Sequence, residues 1–124
     1  MHDKIGSADA LVLASPIYFG TITAQLKTMI DRCNNLWAAD GKPENGAPRK
    51  RTRRGAFICI AGEDKKEYFK NASAVIRILF ATLDVTYESE LFVGGINHIG
   101  ENSPKRKEAL IKSYELGLSI AKPS

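Results

Sequence analysis

The chain is poor in cysteine, has no long apolar run and carries no repeated or low-complexity segment. Each absence excludes a class. Two cysteines, Cys33 and Cys59, are too few for a disulfide framework. Cys59 lies in an apolar strand-like run and Cys33 on the apolar stripe of an expected helix, so both read as buried reduced thiols rather than ligands. No metal site is expected, and a reduced chain of this kind is expected in the cytoplasm. No apolar run approaches the roughly 20 residues needed to cross a bilayer, so no membrane partner is expected. The opening Met1-His2-Asp3-Lys4-Ile5 lacks the apolar core of a signal peptide. What remains is a chain of 124 residues, 44% hydrophobic and 26% charged, which fits one soluble globular domain over residues 1–124.

The apolar residues alternate between two periods. Ala8 to Ser15 is a nearly continuous apolar run that stops at Ser15-Pro16, as expected of a strand buried on both faces. Ile22, Leu26, Met29, Ile30, Cys33 and Trp37 then share one helical stripe, with Thr21 or Thr23 available to cap its start. Asn34, Asn35 and Gly41 mark its end, and residues 40–54 read as a loop. Gly55 to Ala61 is a second buried strand, followed by a helix through Phe69, Ala72, Val75, Ile76, Leu79, Phe80 and Leu83. Tyr87 to Val93 is a third strand, whose alternation of Glu88 and Glu90 against Tyr87, Ser89 and Leu91 predicts an edge. Gly94-Gly95 turns the chain out. Ser103-Pro104 opens a last helix through Leu110, Tyr114, Leu118 and Ala121, with Tyr114 and Trp37 expected in the core. The order βα-βα-βα argues for an α/β fold with a parallel sheet and right-handed crossovers.

The positive charge is local. Arg49, Lys50, Arg51, Arg53 and Arg54 precede the second strand. A solvated loop at the mouth of a strand ranks above a nucleic-acid contact, because no aromatics are interleaved and no nucleic-acid module surrounds the run. A landing site for an anionic nucleotide stays open beside the solvated loop. His98 sits in a polar loop and reads as a surface residue.

The stretch Ala8-Asp9-Ala10-Leu11-Val12-Leu13-Ala14-Ser15-Pro16-Ile17-Tyr18-Phe19-Gly20, with Ala24-Gln25-Leu26-Lys27 and Ile30-Asp31-Arg32 after it, resembles the NADPH-dependent FMN reductases and iron–sulfur flavoproteins of the flavodoxin-like superfamily. The resemblance is close over residues 8–32 and looser over the rest. It implies a partial flavodoxin-like three-layer sandwich, in which this strand, loop and helix are the family's third. It further implies redox chemistry carried by FMN, with NADPH and other small electron donors or acceptors as partners.

In such sheets ligands lie at the carboxyl ends of the strands. The residues expected at the flavin are therefore Ser15, Pro16, Ile17, Tyr18, Phe19, Gly20 and Thr21, with Gly62 in the loop after the second strand. Pro16 stiffens the strand's exit, Tyr18 or Phe19 stacks on the isoalloxazine ring, and Gly20 lets backbone approach it. The plainer alternative is that Tyr18 and Phe19 simply cover the top of the sheet. Glu63 and Asp64 beside Gly62 suit a helix N-terminus as well as they suit a ligand. No catalytic acid or base is expected from these residues.

The resemblance also implies a missing half. The family's first two strands, its phosphate loop and the cysteine cluster of its iron–sulfur members have no counterpart here. Three charge-assisted hydrogen bonds to a phosphate contribute about 1.5–3 kcal/mol each, so their loss removes roughly three to six powers of ten in affinity. A chain without them is expected to be flavin-poor or inactive. An alternative follows: a non-catalytic interaction or oligomerisation module whose open first strand pairs with another copy.

Overall fold

The computed structural model describes residues 2–33, 53–98, 100 and 103–122. Within these, three strands form one parallel sheet in the order β1 (Ala10–Pro16), β2 (Arg53–Ile60) and β3 (Val85–Val93). Pairing runs from Ala10 opposite Arg54 to Pro16 opposite Ile60, and from Arg53 opposite Val85 to Ile60 opposite Val93. All three strands therefore reach their carboxyl tips on one side. The α/β class and the alternating order are as expected.

Among the described residues four helices accompany the sheet: α1 (His2–Ser7), α2 (Ala24–Arg32), α3 (Lys66–Thr82) and α4 (Pro104–Ala121). Helices α2 and α3 cover one face. Ile22, Leu26, Met29 and Ile30 meet Phe57, Cys59, Phe69, Ala72, Ile76, Leu79 and Phe80 there. Gly55 lets α3 lie close, because a Cβ at that position would stand 2.4 Å from the Phe80 ring and 2.7 Å from Val85. Helix α4 covers the other face, packing Leu116 and Ile120 on Ala56, with Ala10, Ile58 and Leu91 around them. The short α1, for which the sequence carries no periodic signal, is held by Ile5 packing against the larger core.

Four expectations are corrected. Arg53 and Arg54 belong to β2, not to a solvated loop. Only 4% of Arg53 is exposed. Its Nε donates to Ala8 O at 3.0 Å, one terminal nitrogen to Leu83 O at 3.1 Å and the other to Ile5 O. Leu83 ends α3 and Ile5 lies in α1, so the guanidinium occupies the place where helix-terminal carbonyls need donors and favour a cation. Arg54 reaches Lys122 O at 2.7 Å and Glu88 at 3.5 Å, tying β2 to α4 and β3.

Tyr114 is the second correction: it is 69% exposed, with Leu110 and Leu118 exposed beside it. The face of α4 that meets the sheet is set by Leu116 and Ile120, one-third of a turn round from the stripe the sequence suggests. Third, the alternation of β3 is not continuous. Gly55 pairs with Tyr87 and Ala56 with Ser89, so the ladder skips Glu88. This bulge moves Tyr87 to the α3 face, while Leu91 faces α4. Fourth, β3 begins at Val85, two residues before the expected start. Trp37, the helix end at Asn34, Asn35 and Gly41, and Arg49, Lys50 and Arg51 lie outside the described residues.

Replacing Arg53 by methionine leaves three carbonyls, one buried and two part-buried, without this donor. Arg53→Met should lower the stability of the chain by about 2–5 kcal/mol in urea unfolding. A loss under roughly 1 kcal/mol would mean that the three carbonyls find other partners.

Candidate functional site

The carboxyl tips of the strands carry three loops, and the loop after β1 is the most sharply shaped. Pro16 is the last residue of β1, and Ile17 N–H continues the ladder to Ile60 O at 2.7 Å. The chain then reverses within four residues. Tyr18 N–H donates to Thr21 O at 2.9 Å and Thr21 N–H to Tyr18 O at 3.4 Å. Between them Phe19 has φ +52° and Gly20 φ +80°. Two consecutive positive φ values are the signature of a type I′ turn, which favours Asn and Gly. Phenylalanine in that backbone region costs about 1–2 kcal/mol. Its side chain recovers nothing from packing: Phe19 is 107% exposed and Tyr18 is also exposed. Both rings therefore stand in solvent at the tip of a parallel strand.

The expected set divides by role. Ser15 is 4% exposed and is consumed by the scaffold. Its hydroxyl donates to Pro16 O at 2.8 Å and accepts from Thr23 N–H at 3.2 Å. Thr23 in turn caps α2, its side chain accepting from Leu26 N–H at 3.2 Å. Ser15 and Thr23 thus join the end of β1 to the start of α2 and close the intervening loop at its base. Ile17 packs against the core. Thr21 is bonded across the turn through its backbone. Gly20 rests on α3: Asn71 Nδ2 donates to its carbonyl at 3.3 Å, and a Cβ at Gly20 would stand 3.4 Å from the Tyr68 ring.

Gly62 lies apart from that turn, in the loop after β2. A Cβ there would come 2.5 Å from the Asn97 side chain, so Gly62 makes room for the 3₁₀ turn Ile96–His98. The two later loops are joined by backbone. Ala61 N–H donates to Val93 O at 2.9 Å and Ile96 N–H to Ala61 O at 3.2 Å. Gly94 lets Asp64 approach to 2.8 Å of a would-be Cβ, measured at the Asp64 Cα, and Lys105 Nζ takes Gly94 O at 2.5 Å. The backbone of His98 closes the 3₁₀ turn.

An ion pair stands beside the turn. Lys65 contacts Glu63 at 3.1 Å and the Tyr68 hydroxyl at 3.4 Å, and these partners, Glu63 foremost, hold its ammonium above the usual lysine range. The cysteines are elsewhere: both are buried, and burial pushes the Cys59 thiol up to about 11 and raises that of Cys33. Neither is a thiolate near neutral pH. Among the described residues no group of three His, Cys, Asp or Glu could hold a metal ion. No helix among them is long and apolar enough to cross a membrane.

The sequence indicates a loop over Pro16–Thr21 at this tip but no part for Tyr68, Asn71 and Asn97, which support that loop and its neighbour. The only available signal was spacing: Tyr68 and Asn71 are one helical turn apart at the start of α3, flanking the buried Phe69 and Ala72.

Comparison with known proteins follows the same outline. Residues 1–64 match the family model described as NADPH-dependent FMN reductase. An iron–sulfur flavoprotein of Methanocaldococcus jannaschii is 36% identical over 63 residues, which cover 51% of this chain and 29% of that protein. The chain thus spans under a third of that relative's length. A flavodoxin from the domain Archaea superposes with a TM-score of 0.59 at 14% identity, over 98% of this chain and 68% of that one. An NAD(P)H:quinone oxidoreductase from Methanothermobacter marburgensis does so with a TM-score of 0.58 at 19% identity, over 99% and 62%. These likenesses establish a flavodoxin-like fold.

The junction at Ser15 yields a direct test. Ser15→Ala removes the acceptor of the Thr23 N–H and should cost about 1–2 kcal/mol in chemical denaturation. Faster amide exchange should be confined to residues 16–24. Exchange that quickens evenly over the whole sheet would instead show that Ser15 has no local role.

Proposed function

The chain belongs to the NADPH-dependent FMN reductase family, and we propose on that premise that it forms the ring-binding side of an FMN-dependent oxidoreductase. The observation that carries the reading is the Tyr18–Thr21 turn. It presents two solvent-facing aromatic rings at a strand's carboxyl tip, at the cost of a left-handed phenylalanine. A strained, unpacked aromatic pair is a poor cover for a sheet and a good platform for a flat conjugated ring. The Tyr68 ring borders Gly20 on the side where a Cβ would stand, so close approach to a ligand falls to Tyr18 and Phe19. Ser15, Pro16, Ile17 and Thr21 hold this platform, and Gly62 holds the adjoining loop.

When bound, FMN would supply the electron or hydride chemistry, with NADPH as the natural donor for a member of this family. The chain's own residues bind and orient the ring. Among the described residues no glycine-rich strand-to-helix turn offers a cradle for the phosphate, and Gly94-Gly95 is closed by Asp64 and Lys105. The chain by itself is therefore flavin-poor and turns over little. A reduced cytoplasmic setting suits its buried thiols.

Titration with FMN and with lumiflavin, the bare ring system, followed by visible absorption and fluorescence quenching, tests this. Both should bind weakly and with similar affinity. Truncating Tyr18 or Phe19 to alanine should weaken each by about 2- to 12-fold. No spectral change with either compound at millimolar concentration would defeat the reading.

A second reading rests on a different observation. Val12 is 48% exposed in the middle of β1, and β1 pairs along one side only among the described residues. An open parallel strand with an apolar side chain facing water favours association of copies of this chain, catalytic or not. Sedimentation velocity at low micromolar concentration should show a dimer or larger species; a monomer alone would remove it. Of the basic run, Arg53 and Arg54 are taken up within the fold and are not offered to a nucleic-acid partner.

A further inference from the structure

We propose that Asn71 and Tyr68 are positioning residues for the aromatic platform, setting the conformation of the Tyr18–Thr21 turn from outside it. The inference rests on the ring-binding reading above for its functional consequence, but not for its structural content. Both residues lie beyond the stretch matched by the family model, which ends at residue 64.

Two contacts meet at Gly20, and the turn around it is weakly closed. Asn71 Nδ2 donates to its carbonyl at 3.3 Å. The Tyr68 ring borders Gly20 at van der Waals distance, 3.4 and 3.5 Å from where a Cβ would stand. The turn itself is closed by only two backbone bonds, of which Thr21 N–H to Tyr18 O is long at 3.4 Å. A two-residue loop can close with other turn types, and a phenylalanine at the first central position disfavours the one found. Something must select it. The contacts from α3 act on Gly20 itself, through its carbonyl and the space beside its Cα, and the positive φ at that residue separates the turn found from types I and II′. Ser15 and Thr23 fix the base of the loop; Asn71 and Tyr68 fix its tip.

The side chain of Asn71 is exposed, and alanine is the better helix former at that position. A merely structural account therefore predicts that Asn71→Ala leaves global stability unchanged or slightly raised, with nothing else altered. The positioning account predicts a split. In Asn71→Ala the ¹H–¹⁵N signals of Phe19, Gly20 and Thr21 should move, and Thr21 amide exchange should quicken. Lumiflavin affinity should fall by about 2- to 12-fold, the range set by one neutral hydrogen bond. Asn71→Asp keeps the shape, loses the donor and should reproduce the loss. Tyr68→Leu should disturb the same three signals.

Unmoved signals for Phe19 and Gly20 in Asn71→Ala would overturn the proposal, as would moved signals with unchanged lumiflavin affinity. Failure of the unsubstituted chain to bind lumiflavin would defeat the ring-binding reading alone. The resonance shifts would then still decide whether α3 sets the turn.

Discussion

The arrangement depends on one buried guanidinium. Arg53 stands at the amino end of β2 and gathers carbonyls from α1, from the segment before β1 and from the end of α3. A parallel sheet brings the ends of its crossover helices to the edge where its strands begin, and those ends carry carbonyls that need donors. One planar cation with several fixed donors meets the need at three places at once, which an ammonium on a flexible stem does less well. By fixing where α3 ends, Arg53 also fixes where α3 begins, and the first turns of α3 support the opposite edge. Stability and site are thus connected through a single helix.

At that opposite edge the chain allots neighbouring residues to different tasks. Ser15 and Ile17 face inward, the one bonded to the start of α2 and the other packed into the core. Tyr18 and Phe19 face outward. The separation comes from the reversal at Tyr18–Thr21, which ends the alternation of the strand and sends two successive rings to the same environment. Polar backbone at the strand tips is meanwhile satisfied by the 3₁₀ turn and by Lys105, so the loops beside the rings are tied to one another.

Much of this was legible in the residues. The continuous apolar run after Arg54 identified the two-face burial of β2, and the stripe from Phe69 to Leu83 the helix that packs over it. The similar run before Pro16 was expected to be buried on both faces too, but β1 lies at the margin of the described sheet and leaves Val12 48% exposed. Local chemistry offered Thr21 or Thr23 as the cap of α2, of which Thr23 serves, and gave the proline start of α4. What was not legible depended on long-range geometry. A run of arginines looks the same whether solvated or buried, and only the folded chain brings Ile5, Ala8 and Leu83 to Arg53. Tyr114 occupies a credible apolar stripe, but α4 spends a different one, Leu116 and Ile120, on the sheet. Tyr68 and Asn71 carry no motif; their part is defined by a glycine some fifty positions earlier in the chain.

The extra residue in β3 has a bearing on how such chains are compared. Because the pairing steps over Glu88, side chains before and after it belong to opposite layers although their spacing in the sequence is even. Parity therefore does not carry through the strand. Aligning it to an unbroken relative by its pattern of apolar and charged letters alone will put one half a position out of step, and will exchange what is inside with what is outside.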